Sequence, residues 1–410
     1  MNLLFITVLD IKDINDSSIY ADLMRKFAQK GHSVTIACPT GNNAEPTTLI
    51  KCSDSFSVLR VKTDRMQKIN IIRKGIATLL IESQFKNAIK KHLSDVKFDV
   101  VMYSTPPITF AGVVSFVKKR DGAKSYLLLK DIFPQNAVDL NMMTKSGPKS
   151  IIYKTFLKKE KKLYALSDHI GCMSQANVDF LLKHNPEIDP KKVHISPNSI
   201  EVCAPERLPE KRKEIREKYN IPQDVPVFVY GGNLGKPQDI PFVIECLRAN
   251  ADKKDRYFVI CGTGTEYPLL KEYVGAEKPE NVLVINGLPK AEYDDFINAF
   301  DVGLIFLDHR FTIPNFPSRL LAYMQSKMPV ISCTDENTDI GDVIEQGGFG
   351  WKCLSNSVEG FTAAVDAAIA SDIDTLGKKG FEYLCENYKV EKSYEIIAEH
   401  VMEKKETVSV

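Results

Sequence analysis

The sequence predicts an α/β protein made of two Rossmann-like, doubly wound parallel-sheet domains that face each other across a cleft. Three observations predict it. Short runs rich in Val, Ile and Leu alternate with longer amphipathic stretches. These runs are continuously apolar, as parallel strands covered on both faces must be. The alternation breaks once, after Pro197-Asn198, and then restarts, so one wound unit follows another.

In the first unit the expected strands are Asn2–Leu9, Ser33–Cys38, Ser57–Val61, Phe98–Tyr103, Lys124–Leu129, His169–Met173 and Lys192–Ile195. A crossover helix is expected over Ser17–Gln29, with Gly31 where a helix C-terminal glycine belongs. Residues 201–226 carry several prolines, many charges and a short helix at about Lys211–Tyr219. Strands resume at Val225–Tyr230, Tyr257–Cys261, Val282–Ile285, Val302–Phe306, Pro329–Cys333 and Gly350–Cys353. The domains are therefore expected at 1–200 and 201–389. A last helix, Val390–Lys405 within 390–410, is placed to pack back on the first domain. Ligands of wound sheets bind outside the carboxyl ends of the strands, which makes the cleft the expected site.

Composition removes several function classes. A chain of 410 residues can bury a large core without disulfide or metal staples. The net charge of +1 leaves no basic field of the kind a nucleic-acid partner attracts, so any anion site must be local. The nine cysteines include no CxxC pair and no Cys/His set with zinc spacing, and they read as reduced thiols of a cytoplasmic protein. Seven scattered histidines form no metal set. Asp10 interrupts the N-terminal apolar run too soon for a signal peptide. No run approaches the roughly 20 apolar residues needed to cross a bilayer.

Four segments at strand ends can carry chemistry. Tyr230-Gly231-Gly232-Asn233-Leu234-Gly235-Lys236 precedes a helix expected near Asp239. Its glycines permit close backbone approach, and a helix N-terminus with a lysine beside it suits a phosphate. A tight strand-to-helix turn with a solvated lysine explains the same residues. In Pro314-Asn315-Phe316-Pro317-Ser318-Arg319, two prolines lead into a helix, and Arg319 is the only basic residue between Arg310 and Lys327. It suits bidentate phosphate contact, unless Ser318 is a plain N-cap and Arg319 a surface residue. Cys261-Gly262-Thr263-Gly264-Thr265-Glu266 is half a dinucleotide fingerprint, incomplete because residue 267 is Tyr. It is a nucleotide contact or a bare turn.

Lys130-Asp131-Ile132-Phe133-Pro134-Gln135 ends a strand of the first unit. Asp131 there is a general base, an orienting group or a helix cap. Asp10, Asp13 and Asp16 crowd one loop, as caps or as contacts to a polyhydroxy acceptor. Residues 149–163, and more briefly 86–93, mix apolar and basic residues at helical spacing. Such a helix either rests on anionic lipid or simply packs on the sheet.

Over essentially its whole length the chain resembles glycosyltransferase family 4, of GT-B fold, and most of all the bacterial O-antigen and capsule transferases of N-acetyl-L-fucosamine type. The resemblance rests on ordered segments. They are GHSVTIACP, KDIFPQNAVDL, SDHIGCMSQANVDFL with KVHISPNSIEV, YGGNLGKPQDI, and FPSRLLAYMQSKMPVIS. It implies that Gly235, Lys236, Ser318 and Arg319 meet the donor diphosphate, with Arg319 standing where relatives usually have Lys. It implies that Leu288 and Pro289 lie near the base; Asn233, Gly262 and Gly264, from the glycine turns themselves, are expected on the nucleotide side. It also implies retention of anomeric configuration and no metal or other cofactor, because basic groups and helix dipoles neutralise the leaving diphosphate.

Two features depart from the family. Its paired glutamates are replaced by Pro314 and Ala322, and its glycine-rich loop after the first strand by Ile11-Lys12-Asp13-Ile14-Asn15-Asp16. The resulting expectation is a hexosyltransferase-type enzyme. It would move a sugar such as an N-acetylated deoxy sugar from a UDP donor to a lipid-linked saccharide of capsule or O-antigen assembly. Asp131 would be its catalytic residue, and contact with the cytoplasmic membrane face would be peripheral. The competing readings are a nucleotide-sugar 2-epimerase of the same fold and a non-catalytic nucleotide-sugar-binding subunit.

Overall fold

A computed structural model describes residues 1–41, 45–63, 71–203 and 208–402, with only the backbone described over 71–79. The chain divides into two compact units, Met1–Glu201 with Lys389–Val410, and Val202–Tyr388.

The first unit is built on eight strands: β1 (Asn2–Ile6), β2 (Ser33–Pro39), β3 (Thr48–Lys51), β4 (Phe56–Val61), β5 (Val100–Ser104), β6 (Lys124–Leu129), β7 (His169–Cys172) and β8 (Val193–Ile195). Their order is β3-β4-β2-β1-β5-β6-β7-β8. The pairings are parallel, except that β3 runs antiparallel to β4. The middle strands are buried on both faces, which is why they read as unbroken apolar runs. One face packs on Phe85, Val113, Val117 and Leu163, the other on Leu23, Met24 and Phe27. The last helix, Val390–Val401, joins that second face through Val390, Ile397 and Val401. Residues 403–405 of the helix expected to Lys405 lie outside the described residues.

The first crossover helix runs Ile19–Gln29 and is capped by Ser18, whose Oγ accepts the Ala21 amide at 3.1 Å. The crowded aspartates are not its caps. Asp10 instead pairs with Arg60 at 2.8 Å, and Asp16 accepts the Lys12 amide. Gly31 follows the helix at φ +84°, the left-handed exit that glycine permits.

The second unit has six strands: β9 (Val227–Asn233), β10 (Tyr257–Thr263), β11 (Val282–Ile285), β12 (Val302–Phe306), β13 (Val330–Thr334) and β14 (Gly350–Leu354). All are parallel, in the order β11-β10-β9-β12-β13-β14. The reversal of strand order falls between β9 and β12, the switch point where wound sheets open a crevice at their carboxyl edge. β9 and β10 run past their apolar stretches. Gly231, Gly232 and Asn233 pair in register with Cys261, Gly262 and Thr263.

Before β9, the helix Pro209–Lys218 is locked to the sheet by Arg216. Its fully buried guanidinium donates to Asp301 Oδ2 at 2.6 Å and to the carbonyls of Ala299 and Pro222.

Candidate functional site

A cavity of about 630 Å³ opens at the carboxyl edge of the second sheet. Its floor is Gly231, Gly232 and Gly262, and one wall is Leu288 and Tyr293. The facing wall is Pro317, Ser318, Arg319, Ala322 and Tyr323. Glycine is required at the floor. A Cβ on Gly262 would stand 1.9 Å from the Gly232 carbonyl oxygen, and one on Gly231 would stand 1.7 Å from the Tyr293 hydroxyl.

Arg319 opens the helix Arg319–Gln325. Its guanidinium lies over the Tyr230 ring, 4.2 Å from the centroid, and its Nη2 lies 2.9 Å from where a Gly232 Cβ would be. Nη1 is buried and has no hydrogen-bond partner among the described residues. Burial works against the charge, but the rings and hydroxyls of Tyr230, Tyr323 and Tyr293 outweigh it, and the group is held above the usual arginine range. A permanent cation therefore lines the cavity, with one buried donor left unpaired behind it. Ser318 stands at the N-cap position, but its side chain makes no cap bond and is exposed at the cavity wall. The simple N-cap reading of Ser318 therefore does not hold.

Of the residues singled out in the second unit, Gly262, Leu288, Ser318 and Arg319 line this cavity. Asn233, Gly235, Lys236, Gly264 and Pro289 do not. Their positions have local causes. Between the glycine turn and the helix Ile240–Arg248 lies a 3₁₀ turn, Lys236–Gln238. Buried Gln238 takes the turn's donors on its Oε1, from Asn233 Nδ2 at 2.8 Å and from the Gly235 amide at 3.2 Å. The Gly235 amide is thus already engaged, and Lys236 is exposed. Gly264 is a packing glycine, since its Cβ would meet the Leu234 carbonyl oxygen at 2.1 Å. Pro289 caps the helix Lys290–Ile297. That helix brings Tyr293, Lys290 and Asp294 to the cavity. The sequence signal stops at Leu288 and Pro289, and the helix that Pro289 opens carries no glycine or phosphate-type motif of its own.

Asp131 sits in the first unit, beyond the carboxyl end of β6. Thr105 Oγ1 accepts the Lys130 and Asp131 amides at 3.0 and 3.1 Å, and Asn136 Nδ2 donates to Asp131 Oδ1 at 2.8 Å. Burial pushes the Asp131 carboxyl up to about 6, against the Ile132 amide and Asn136, which hold it down. Burial also lowers the Lys130 amine to about 7, while its Nζ donates to the Ser196 carbonyl at 3.1 Å. Glu160, held inward on the helix Ser150–Leu166, is pushed up to about 7 by burial, partly offset by the Tyr164 hydroxyl and reinforced by the Asp131 charge. Asp131 is not a helix cap, because the next helix, Gln135–Asp139, has Pro134 at its N-cap.

Residues 18–203 match the family description "Glycosyltransferase Family 4", and residues 211–387 match "Glycosyl transferases group 1". This chain is a family 4 glycosyltransferase of GT-B fold. The glycosyltransferase is 24% identical over 329 residues to the probable glycosyltransferase WbjE of Pseudomonas aeruginosa, covering 80% of each chain. Solved structures share its fold at lower identity. Sucrose-phosphate synthase from Thermosynechococcus elongatus has a TM-score of 0.74 at 15% identity, over 97% of both chains. A trehalose-6-phosphate protein from E. coli, bound with UDP-2-fluoro glucose, has 0.72 at 12% identity, over 98% of this chain and 100% of that one. WaaG, a glycosyltransferase involved in lipopolysaccharide biosynthesis, has 0.65 at 13% identity, over 98% and 100%.

Two side-chain sets in the glycosyltransferase were not legible as sets. Asp239, Asp308 and His309 bring one ligand atom each within 4.8 Å. Asp308, fully buried, is already forked by Arg310, and His309 Nδ1 lies 3.4 Å from Asp239, so this is a salt-bridged triad. Three of the scattered histidines also meet. His194 stacks on His400 of the last helix at 3.5 Å between centroids, and His169 lies 5.5 Å from His400.

Proposed function

We propose that this glycosyltransferase is a retaining, metal-independent enzyme that moves a sugar from a UDP donor, such as an N-acetylated deoxy sugar, to a lipid-linked saccharide of capsule or O-antigen assembly. The observation that carries the donor half is the Arg319 guanidinium, without a hydrogen-bond partner at Nη1, lining a glycine-floored cavity at the switch point. A diphosphate supplies acceptors and negative charge for this cation, and Ser318 adds a hydroxyl beside it. Leu288, which lines the same cavity, is assigned to the base. In the reaction the acceptor oxygen bonds to the anomeric carbon while the bond from that carbon to the diphosphate oxygen breaks. The electron pair leaves with the nucleoside diphosphate, whose growing charge Arg319 stabilises. The hydroxyl proton passes to a base, and Asp131 is assigned that role because its carboxyl titrates just below neutral pH. No cofactor is needed for this exchange.

The acceptor half is supported by the relatives and by the surface of the first unit. WaaG is named for lipopolysaccharide biosynthesis. The helix Ser150–Leu166 buries Glu160, Leu163 and Tyr164 and leaves Ile151 (69% exposed) and Ile152 (55%) exposed, on the same helix as exposed Lys154 and Lys158. No helix among the described residues is long and apolar enough to cross a membrane. Exposed apolar and basic residues on one helix fit an anionic cytoplasmic leaflet instead.

The test is a thermal-shift screen against UDP-, GDP- and dTDP-sugars, followed by transfer to extracted lipid-linked saccharides. UDP-sugars are expected to raise the melting temperature most, by the linkage of ligand to the folded state, and labelled sugar is expected in the lipid fraction. Donor turnover without any acceptor would replace this reading with epimerisation.

A further inference from the structure

Arg319 is held in a way that a lysine could not be. Its guanidinium carbon lies over the Tyr230 ring at 4.2 Å, and Nη2 abuts Gly232, whose φ of +135° belongs to glycine. Tyr230 is itself immobile. It is 1% exposed, and its hydroxyl donates to the Asn233 carbonyl at 2.6 Å, fastening the ring to the turn beneath the cavity. Tyr323, one helical turn after Arg319, fixes the helix that carries the arginine. Its hydroxyl accepts the Gly231 amide at 3.2 Å and lies 3.0 Å from the Leu304 carbonyl oxygen. Its ring occupies the space that Gly303 leaves free, where a Cβ would stand 2.4 Å from Tyr323 Cγ. Backbone and side chain of Arg319 are therefore set by two tyrosines, and its buried Nη1 has no hydrogen-bond partner among the described residues.

We propose that Tyr230 is the positioning residue of the diphosphate site, acting through Arg319. Its ring face holds the guanidinium at the cavity wall, so that the cation is in place for the leaving diphosphate before the sugar is transferred. The inference rests on the donor reading above. It gives a physical reason for arginine at this position. A planar delocalised cation stacks on a ring face and still presents donors at its edge, whereas an ammonium offers neither the plane nor the fork. The cost of orienting the cation is met when the protein folds, and little reorganisation remains for the reaction.

The test is a double-mutant cycle on donor kcat/KM in the full chain. Tyr230→Leu is expected to lower kcat/KM about tenfold, and Tyr230→Phe, which keeps the ring, only about twofold to threefold. In an Arg319→Ala background, Tyr230→Leu should then cost less than about twofold, because a residue acting through Arg319 has nothing left to position. Arg319→Lys, which leaves the tyrosine core intact, should lose about tenfold with the same split between kcat and KM as Tyr230→Leu. Additive losses, a Phe variant as poor as the Leu variant, or a near-normal Lys variant would each overturn the inference. Should Tyr230→Leu fail to fold, the Phe and Lys variants decide it alone. Melting of the wild type with UDP separates the two layers. No gain in stability overturns the diphosphate site itself, whereas a gain with an additive cycle overturns only the role of Tyr230.

Discussion

The two sheets present opposite electrostatics at the same edge. In the second unit the carboxyl edge carries a cation that burial fails to neutralise, because aromatic rings and hydroxyls hold Arg319 above the usual arginine range. In the first unit the same edge carries groups whose charge burial does suppress. Asp131 is pushed up to about 6, Glu160 up to about 7, and Lys130 down to about 7. One edge thus keeps a permanent charge and the other keeps groups that exchange protons near neutral pH. A leaving diphosphate requires the first kind of surface, and a hydroxyl that must lose a proton requires the second. The difference arises from the groups themselves, since a guanidinium stays protonated when buried whereas a buried carboxyl or amine is driven toward its neutral form.

The strongest way to break that contrast is to remove the permanent charge. Arg319→Ala should lower turnover at least ~100-fold, the scale of losing one preorganised electrostatic contact. The variant also loses the stack on Tyr230, so its melting temperature should fall modestly, and turnover is compared where it remains folded. Near-normal turnover measured with a saturating UDP-sugar would remove the charge from the reaction.

A smaller effect tests the other edge. The Asp131 carboxyl is raised by burial, so it is ionised above pH about 6 and protonated below. If it takes the acceptor proton, the rate should fall about tenfold per unit below that pH. Asp131→Asn keeps the contact to Asn136 but cannot ionise. It should lower kcat roughly 10²-fold at pH 7.5 and abolish the acid limb. An unchanged pH profile in that variant would return Asp131 to a structural role.

How much of this contrast was legible in the sequence depends on how each part is encoded. The wound sheets were, because a parallel strand buried on both faces writes itself as an unbroken apolar run. Lys124–Leu129 and Val302–Phe306 appear as read. β3 was missed because an antiparallel edge strand of four residues, half exposed, has no such run. β9 and β10 were read too short because their last residues are glycines and polars that pair with each other, where hydrophobicity carries no signal.

At the site, Arg319 was legible from its isolation beside a helix start. Lys236 and Gly235 were expected at the diphosphate from their glycine turn. Gln238, a residue with no marker in the sequence, turns that segment inward on itself. The tyrosine setting of Arg319 joins residues 230, 293, 319 and 323, and only the fold assembles them.

The smallest expected effect concerns stability and again divides the units. Six of the seven histidines lie in the first unit, and three of them meet where the last helix packs. Burial, then the charges of His400 and His169, lower His194 to about 3, while its Nε2 pairs with the Tyr126 hydroxyl at 2.7 Å. His169 is lowered by burial and by His400, against the pull of Asp168. An unfolded histidine titrates near 6.5, so below that pH the unfolded chain binds more protons than the folded one. The stability these neutral rings contribute is complete above pH about 6.5 and is lost as pH falls toward 3. Amide protection in β7, β8 and the helix Val390–Val401 should therefore decline between pH 7 and 4.5. The decline should be of order tenfold after correction for intrinsic exchange, while protection in β9–β13 holds. His194→Phe should flatten the decline, since a ring that cannot take a proton fills the same stack against His400. Parallel losses in both units would show that general acid titration, not the histidine stack, sets the acid limit of the first sheet.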